Sequence, residues 1–276
     1  MNGMNIKLIA LDMDGTLLEE DHLHVSARSI AALRRVSALG IKIAIASGRN
    51  VKLIEEPAAA IGVVDYAVSA NGAGLTDWRT KEWLRHVGMP EEQWLSVLNV
   101  LRSRDIPVEI YADGKSYVTR DDLLGARQLG FSQEFVDNYA TKVEIVDDMA
   151  AAVAGKTVEK FHIFYVPTEK REPLKAALAA AGPIHFANAE PQNMELTAAE
   201  ADKAKALAFL CGRLGIRAEE VMAFGDGDND LDMLAWAGWS YAMGNASPGA
   251  KKAAKFQAPP NTEDGVAQVI ERELLG

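Results

Sequence analysis

Along the first third of the chain, continuous apolar runs alternate with helical patterns. Ile6 to Leu11 is almost wholly apolar, Val25 to Leu39 carries apolar residues at helical spacing and is closed by Gly40, and Ile41 to Ala46 is apolar again. The pattern predicts a strand, a helix and a second strand. Strands that are apolar throughout, rather than alternating, are buried on both faces, and helices between them imply a parallel, doubly wound sheet. A third strand, Tyr66 to Ala70, runs into Asn71-Gly72. The three strand ends thus carry Asp12, Ser47 and Asn71, and in open α/β sheets ligands bind outside the carboxyl ends of the strands. A crevice assembled from loops is the expected site.

From Trp83 to Asn188 the texture changes. β-rich pieces (Val108 to Tyr111, Lys115 to Thr119, Lys160 to Val166) alternate with helical patterns near Glu91 to Arg104 and Glu169 to Ala181, and Asp113-Gly114 is a hairpin signal between two of the strands. The first texture then returns, with a helix from about Asp202 to Leu214, a strand Val221 to Phe224, a helix through Leu231 to Ala237, a strand near Tyr241 and a closing helix from Glu263 to Leu275. The expected organisation is an α/β protein with a doubly wound parallel, Rossmann-like sheet formed by residues 1–83 and 189–276, interrupted by an inserted α+β module at 84–188. No internal repeat is visible.

Composition narrows the function classes. Apolar residues make up 49% and charged residues 25% of 276 positions, which is ample for a buried core and excludes a fibrous or disordered chain. The formal charge of −10 opposes non-specific attraction to nucleic acid or an anionic membrane, so neither is an expected partner, and a phosphorylated substrate would need a local cation. The single cysteine, Cys211, lies in an apolar helical pattern and reads as core. The apolar run near the start is too short for a signal segment and no stretch reaches 18 uninterrupted apolar residues, so a cytoplasmic location without membrane spans is expected. The oligomeric state stays open.

Two acidic clusters carry the chemistry. Asp12-Met13-Asp14-Gly15-Thr16 closes an apolar strand, and carboxylates two apart on extended backbone project from the same side. Like charges that close repel, so a cation or a shared proton is required, and a polar turn would need only one of them. The second cluster, Gly225-Asp226-Gly227-Asp228-Asn229-Asp230, again follows an apolar strand and precedes a helix. Hard oxygen donors separated by small residues suit Mg²⁺, with Asp226 at the strand end the foremost ligand; capping by Asp228 or Asn229 is compatible with this. An EF-hand reading fails because position 12 of such a loop is Ala237 rather than Glu, and a strand precedes it. Ala46-Ser47-Gly48-Arg49 offers a hydroxyl and amides to a phosphate oxygen or an ordinary helix cap, and Lys203, at the head of an Ala-rich helix, is either solvated or a neutraliser of phosphate charge.

In this order and in these strand contexts, Asp12-x-Asp14-x-Thr16, Ser47, Lys203 and Gly225-Asp226-x-x-Asn229-Asp230 resemble the haloacid dehalogenase superfamily of phosphohydrolases. The module between Ser47 and Lys203, with Ser69-Ala70-Asn71-Gly72-Ala73 and Met243-Gly244-Asn245-Ala246, is similar to the Cof-type subgroup with a C2 cap. The resemblance implies Asp12 as nucleophile forming a phosphoaspartyl intermediate, Asp14 as general acid and then base, and Thr16 as a supporting hydrogen bonder. Ser47 and Lys203 would hold the transferring phosphoryl group, with Arg49, Asn71 and Asn229 near the substrate phosphate. Mg²⁺ would be bound by Asp12, the main-chain carbonyl of Asp14, and Asp226, with Asp230 in or just behind that set. Relatives often have Gly after the motif lysine; here Ala204 follows, and Lys205 is a second candidate.

The expected activity is Mg²⁺-dependent hydrolysis of a small phosphorylated metabolite, a sugar phosphate foremost. The alternatives are a phosphomutase of the same superfamily and a non-catalytic Mg²⁺ or phosphate-binding module; Asp14 argues against the last, since binding alone needs no carboxylate placed to move a proton. Substrate choice is expected in the cap, where Glu109, Tyr111, His162, Tyr165, Gln192 and Asn193 are polar or aromatic candidates, each with a structural reading beside it.

Overall fold

The computed structural model describes residues 5–128, 139–188 and 192–276. The chain separates into two compact units, Met1–Arg49 with Ile54–Arg85 and Asp202–Gly276, and Asn50–Leu53 with His86–Ala201.

The first unit is built on an eight-stranded sheet. Its strands are β1 (Leu8–Leu11), β2 (Lys42–Ala46), β3 (Tyr66–Ser69), β4 (Gly74–Asp77), β5 (Trp83–His86), β12 (Val221–Gly225), β13 (Trp239–Ala242) and β14 (Phe256–Gln257), in the order β14-β13-β12-β1-β2-β3-β4-β5. The six strands from β14 to β3 are parallel, and β4 turns back antiparallel on β3. Every residue of β1 is fully buried, as expected of an all-apolar strand covered on both faces. Helix Lys203–Leu214 lays Ala206, Leu207, Leu210 and Cys211 on one side of this sheet, so Cys211 is core, and burial pushes its thiol up to about 11. Helix Ala27–Ala38 starts at Ser26, whose hydroxyl accepts from the Ser29 amide, and the chain leaves it through Gly40 at φ +89°.

The second unit has a six-stranded sheet. With β6 (Val108–Ala112), β7 (Lys115–Thr119), β8 (Glu144–Val146), β9 (Val158–Ile163), β10 (Ile184–Ala187) and β11 (Met194–Ala198), its order is β10-β11-β9-β6-β7-β8. Asp113 and Gly114, at φ +49° and +76°, make the tight turn of the β6–β7 hairpin. Val108, Ile110, Phe161, Ile163, Met194 and Leu196 face helices Glu91–Arg102 and Thr168–Ala179, which contribute Trp94, Val97, Leu101, Leu174 and Leu178 to the same core. By alternation, Glu109, Tyr111, Lys160, His162, Glu195 and Thr197 share the opposite face, with Glu109 and Glu195 flanking His162 and with Tyr111 and Thr197 flanking Lys160.

The unit boundaries differ from the 83/84 and 188/189 junctions expected from sequence. Arg85 still belongs to the first unit, where its Nη1 donates to the Gly72 carbonyl at 2.9 Å. At the other end the 188/189 junction adjoins residues 189–191, which lie outside the described residues, and the chain stays with the second unit until Ala201. The reason is hydrogen bonding: β10 and β11 complete the six-stranded sheet, and the Ala201 carbonyl accepts from Thr197 Oγ1 at 3.0 Å. β11 lies beyond Asn188 and pairs with β9 and β10 in the six-stranded sheet.

Candidate active site

Because β12, β1, β2 and β3 are adjacent and parallel, their carboxyl ends open on one edge of the sheet. The Asp12 amide donates to Phe224 O at 3.0 Å and the Ser47 amide to Val68 O at 2.9 Å, so both residues extend the ladder by one step and then leave it. This brings Asp12, Ser47, Asn71 and Asp226 to one place. Beyond Asp12 the chain turns at once through Gly15 (φ +72°), and a Cβ there would lie 2.3 Å from Asp226 Oδ2. Only glycine allows the two acidic loops to approach this closely. Thr16 Oγ1 then donates to Asp226 Oδ1 at 2.8 Å, which ties the loops together.

Lys203 sits at the centre of the charges. Its ammonium is 1% exposed and donates to Asp12 Oδ1 at 2.6 Å and Asp230 Oδ1 at 2.7 Å. Lys205 instead lies 3.3 Å from Asp202, with half its side chain exposed. Lys203 heads its helix because Asp202, accepting from the Lys205 amide at 2.7 Å, caps it. The turn Ala70–Gly72 packs on that cap so closely that a Cβ on Gly72 would meet the Asp202 carbonyl at 2.1 Å. The second oxygen of Asp230 accepts from the amides of Asp226 (2.9 Å) and Gly227 (3.0 Å), which folds the acidic loop around its own carboxylate.

Asp12, Asp226 and Asp230 each offer an oxygen within 4.8 Å of the others'. Burial, and then repulsion from Asp230, hold the Asp12 carboxyl well above the usual range despite Lys203. Burial and Asp230 likewise raise Asp226 to about 7, against the Thr16 hydrogen bond. Burial would lower Lys203, but Asp12 and Asp230 outweigh it and raise the ammonium further. Two carboxylates on one ammonium, with Asp226 beside them, leave an excess of negative charge in a largely buried site. Asp230 is saturated by two amides and Lys203, whereas hydrogen bonds reach Asp12 and Asp226 at one oxygen each, leaving an oxygen on each to face a cation. That donor set, all hard carboxylate oxygen, fits Mg²⁺.

Asp14 stands apart from the triad. Its carboxylate is forked by Arg49, with Nε to Oδ2 at 2.8 Å and Nη2 to Oδ1 at 2.5 Å, and His22 Nδ1 lies 3.0 Å from Oδ1. Burial alone would raise its carboxyl, but the hydrogen bonds from His22 and Arg49 hold it well below the usual range. Ser47 Oγ accepts from the Arg49 amide at 3.1 Å. Asn71, at φ +54°, takes a 3.2 Å hydrogen bond from Asn229 Nδ2 on its side-chain oxygen. Sequence reasoning missed His22, which sits on a polar turn with no motif around it, and Asn261. Asn245 and Asn261 brace the first acidic loop: Asn245 Nδ2 donates to Gly15 O at 2.8 Å and Asn261 Nδ2 to Leu18 O at 3.0 Å. Asn245 stood in a quoted segment, Met243 to Ala246, without a role.

All six cap candidates lie in the second unit. Glu109 is buried with His162 Nδ1 at 2.9 Å, Tyr111 lies under the Lys160 ammonium at 4.4 Å, Tyr165 is exposed, and Gln192 and Asn193 are engaged through their carbonyls by Val166 N and Arg171 Nη2. Lys160 and Glu195, paired at 2.5 Å, were not singled out from sequence. An alternating polar and apolar strand signals which residues share a face but not which of them pair.

The family model of the haloacid dehalogenase-like hydrolases matches residues 9–270. The 5-amino-6-(5-phospho-D-ribitylamino)uracil phosphatase YbjI of Escherichia coli is 30% identical, over 98% of this chain and 97% of that protein. The phosphatase YcsE of Bacillus subtilis, named for the same substrate, is 28% identical over 99% and 97%. Among solved structures, a haloacid dehalogenase-like hydrolase from B. subtilis superposes with a TM-score of 0.85 at 26% identity, covering 98% of this chain and 100% of that one. The two acidic motifs, the mostly parallel sheet and these similarities agree: the chain belongs to the haloacid dehalogenase-like hydrolases of Cof type and is a phosphatase-type enzyme.

Proposed function

We propose that this protein is a Mg²⁺-dependent phosphatase of small phosphorylated metabolites, sugar or sugar-alcohol phosphates foremost, that works through a phosphoaspartyl intermediate on Asp12. The observation that carries the reading is the imbalance of charge at one place: the single ammonium of Lys203 pairs with Asp12 and Asp230, and the half-buried carboxylate of Asp226 lies beside them. Asp12 and Asp226, with the main-chain carbonyl of Asp14, would hold the metal, and Asp230 would stand behind, fixing Lys203 and the acidic loop. Mg²⁺ there would neutralise charge so that a dianionic phosphate can approach an anionic nucleophile. The phosphoribityl group named in two relatives, a phosphorylated polyol arm, supports the substrate class.

The residues divide the work as follows. The Asp12 oxygen attacks phosphorus and the bond to the leaving oxygen breaks, while Asp14 gives that oxygen a proton. Water then attacks the acyl phosphate, Asp14 takes its proton, and inorganic phosphate leaves a regenerated Asp12 carboxylate. Lys203 holds the Asp12 carboxylate in place, and Ser47, Asn71 and Asn229 line the sheet edge where the phosphoryl group would sit. The first unit thus carries the chemistry, and substrate choice is assigned to the second. No described helix is long and apolar enough to cross a membrane.

The test is phosphate release from a panel of phosphorylated sugars, polyols and nucleotides, and from p-nitrophenyl phosphate. Chelator should abolish turnover and added Mg²⁺ restore it. Full activity of the metal-stripped protein would overturn the metal assignment, and transfer of phosphate between hydroxyls without release would point to a mutase.

A further inference from the structure

We infer that Arg49 is a positioning residue for Asp14, holding with His22 the carboxylate that moves protons, rather than a group that chiefly binds the substrate phosphate. The inference rests on the role proposed above for Asp14. Asp14 is the one acid of the first motif that takes no part in the Lys203 network, and its side chain is about a third exposed. Left alone, such a carboxylate samples several rotamers, whereas proton transfer needs its oxygen within hydrogen-bond reach of the reacting atom. The fork of Arg49 removes that freedom, since two parallel hydrogen bonds fix both position and plane of the carboxylate.

The clamp is itself held. The Arg49 amide donates to Ser47 Oγ at 3.1 Å and its carbonyl accepts from the Ala70 amide at 2.8 Å, which anchors the residue to the ends of β2 and β3. Its Nη2 also donates to the His22 carbonyl at 2.7 Å. His22 occupies a left-handed position (φ +58°) in the turn between Leu18 and Val25, whose ends are closed by a bridge between those residues. Its ring comes to 3.0 Å from the Asp14 oxygen. One loop, one strand end and one side chain thus converge on a single carboxylate. A guanidinium is always protonated and cannot replace Asp14 as acid or base; what it does is place the carboxylate and keep it ionised.

The two roles for Arg49 separate in kinetics. With p-nitrophenyl phosphate the phenolate leaves without an acid, so a mispositioned Asp14 slows only the hydrolysis of the phosphoenzyme. Arg49→Ala should therefore give a rapid burst of about one phenolate per enzyme, followed by turnover slowed by about tenfold or more, with KM little changed. A sugar phosphate, which needs the acid as well, should suffer more. Arg49→Lys, unable to fork, should fall between. His22→Ala removes a ring that is more than half exposed, and it should show the same burst with a smaller loss of about two- to fivefold. A rise in KM of about tenfold or more with kcat preserved would mean phosphate binding and overturn the inference. Equal losses on both substrates without a burst, in both variants, would overturn it too. Asp14→Asn is run beside them: a burst there and none in the Arg49 and His22 variants sinks only this inference, whereas no burst in Asp14→Asn sinks the assigned role of Asp14 and the inference together.

Discussion

Two buried polar clusters, one in each unit, treat charge in opposite ways. At the edge of the eight-stranded sheet, Asp12 and Asp230 share one ammonium, that of Lys203, and a third carboxylate, Asp226, lies beside them without one of its own. On the polar face of the six-stranded sheet the ratio is one to one: the Lys160 ammonium stands 2.5 Å from Glu195. Both are largely buried, and in both the desolvation of a charge must be offset locally. The Lys160–Glu195 pair offsets it within the protein. The unbalanced one is complete only when a cation arrives, so unequal charge, and not burial of charge as such, separates a site from scaffolding.

Breaking the unbalanced cluster should cost activity and not stability. Asp12→Asn removes the attacking oxygen but keeps the shape and leaves Lys203 paired with Asp230; phosphate release should fall by about 10⁴-fold or more and no phosphoenzyme should form, while the thermal midpoint of the metal-free protein stays level or rises. A large fall in that midpoint would mean that the surplus carboxylate is structural after all.

The balanced cluster should answer in the reverse sense. Glu195→Gln takes the neutralising carboxylate from Lys160, which is 1% exposed, and should destabilise the second unit by about 3–5 kcal/mol in denaturant melts. Replacing both partners, Lys160→Met with Glu195→Leu, should recover most of that loss, since a well-packed apolar pair carries no desolvation penalty. If the single and double variants melt alike, the pair is not what holds this face.

The smallest effect concerns a carboxylate that belongs to neither cluster. Glu220 accepts from the Arg217 amide at 2.9 Å and contacts Lys7 at 2.9 Å, and these bonds lower its carboxyl to about 2. Its folded value lies below its unfolded one, so its stabilising contribution is complete above about pH 4.5 and is lost as pH falls through about 2. Glu220→Gln should therefore lower the melting temperature modestly at pH 7 and flatten its decline across that window, the variant converging on the parent protein below about pH 2. An unaltered acid limb would show that the bonds of Glu220 persist in the unfolded chain.

Much of the first unit was legible because its signals are local. Apolar strands ending in Asp12, Ser47 and Asp226 announce themselves within about ten residues, and Gly15 can be read as a turn before the close approach to Asp226 that requires it is seen. Less of the second unit was legible. β11, Met194–Ala198, alternates apolar and polar residues as a strand does, but its place in the six-stranded sheet follows from pairing with β9 and β10, which no local pattern contains. His22 escaped for the same reason: an exposed turn histidine has no periodicity, and only the fold carries it to Asp14.

The sequence by itself determined the fold class, the two acidic motifs and the family, since each is written in spacing along a short stretch of chain. The partners of those motifs were decided by tertiary structure. Lys203 meets Asp12 across 191 residues and Thr16 meets Asp226 across 210, because β12 inserts beside β1 in the sheet. That same geometry sends Arg49 to Asp14 and seats Lys203, rather than Lys205, among the carboxylates. Helical and strand periodicity tell which way a side chain faces, but a charge acts over a few ångströms, and what lies within that distance depends on how distant segments pack.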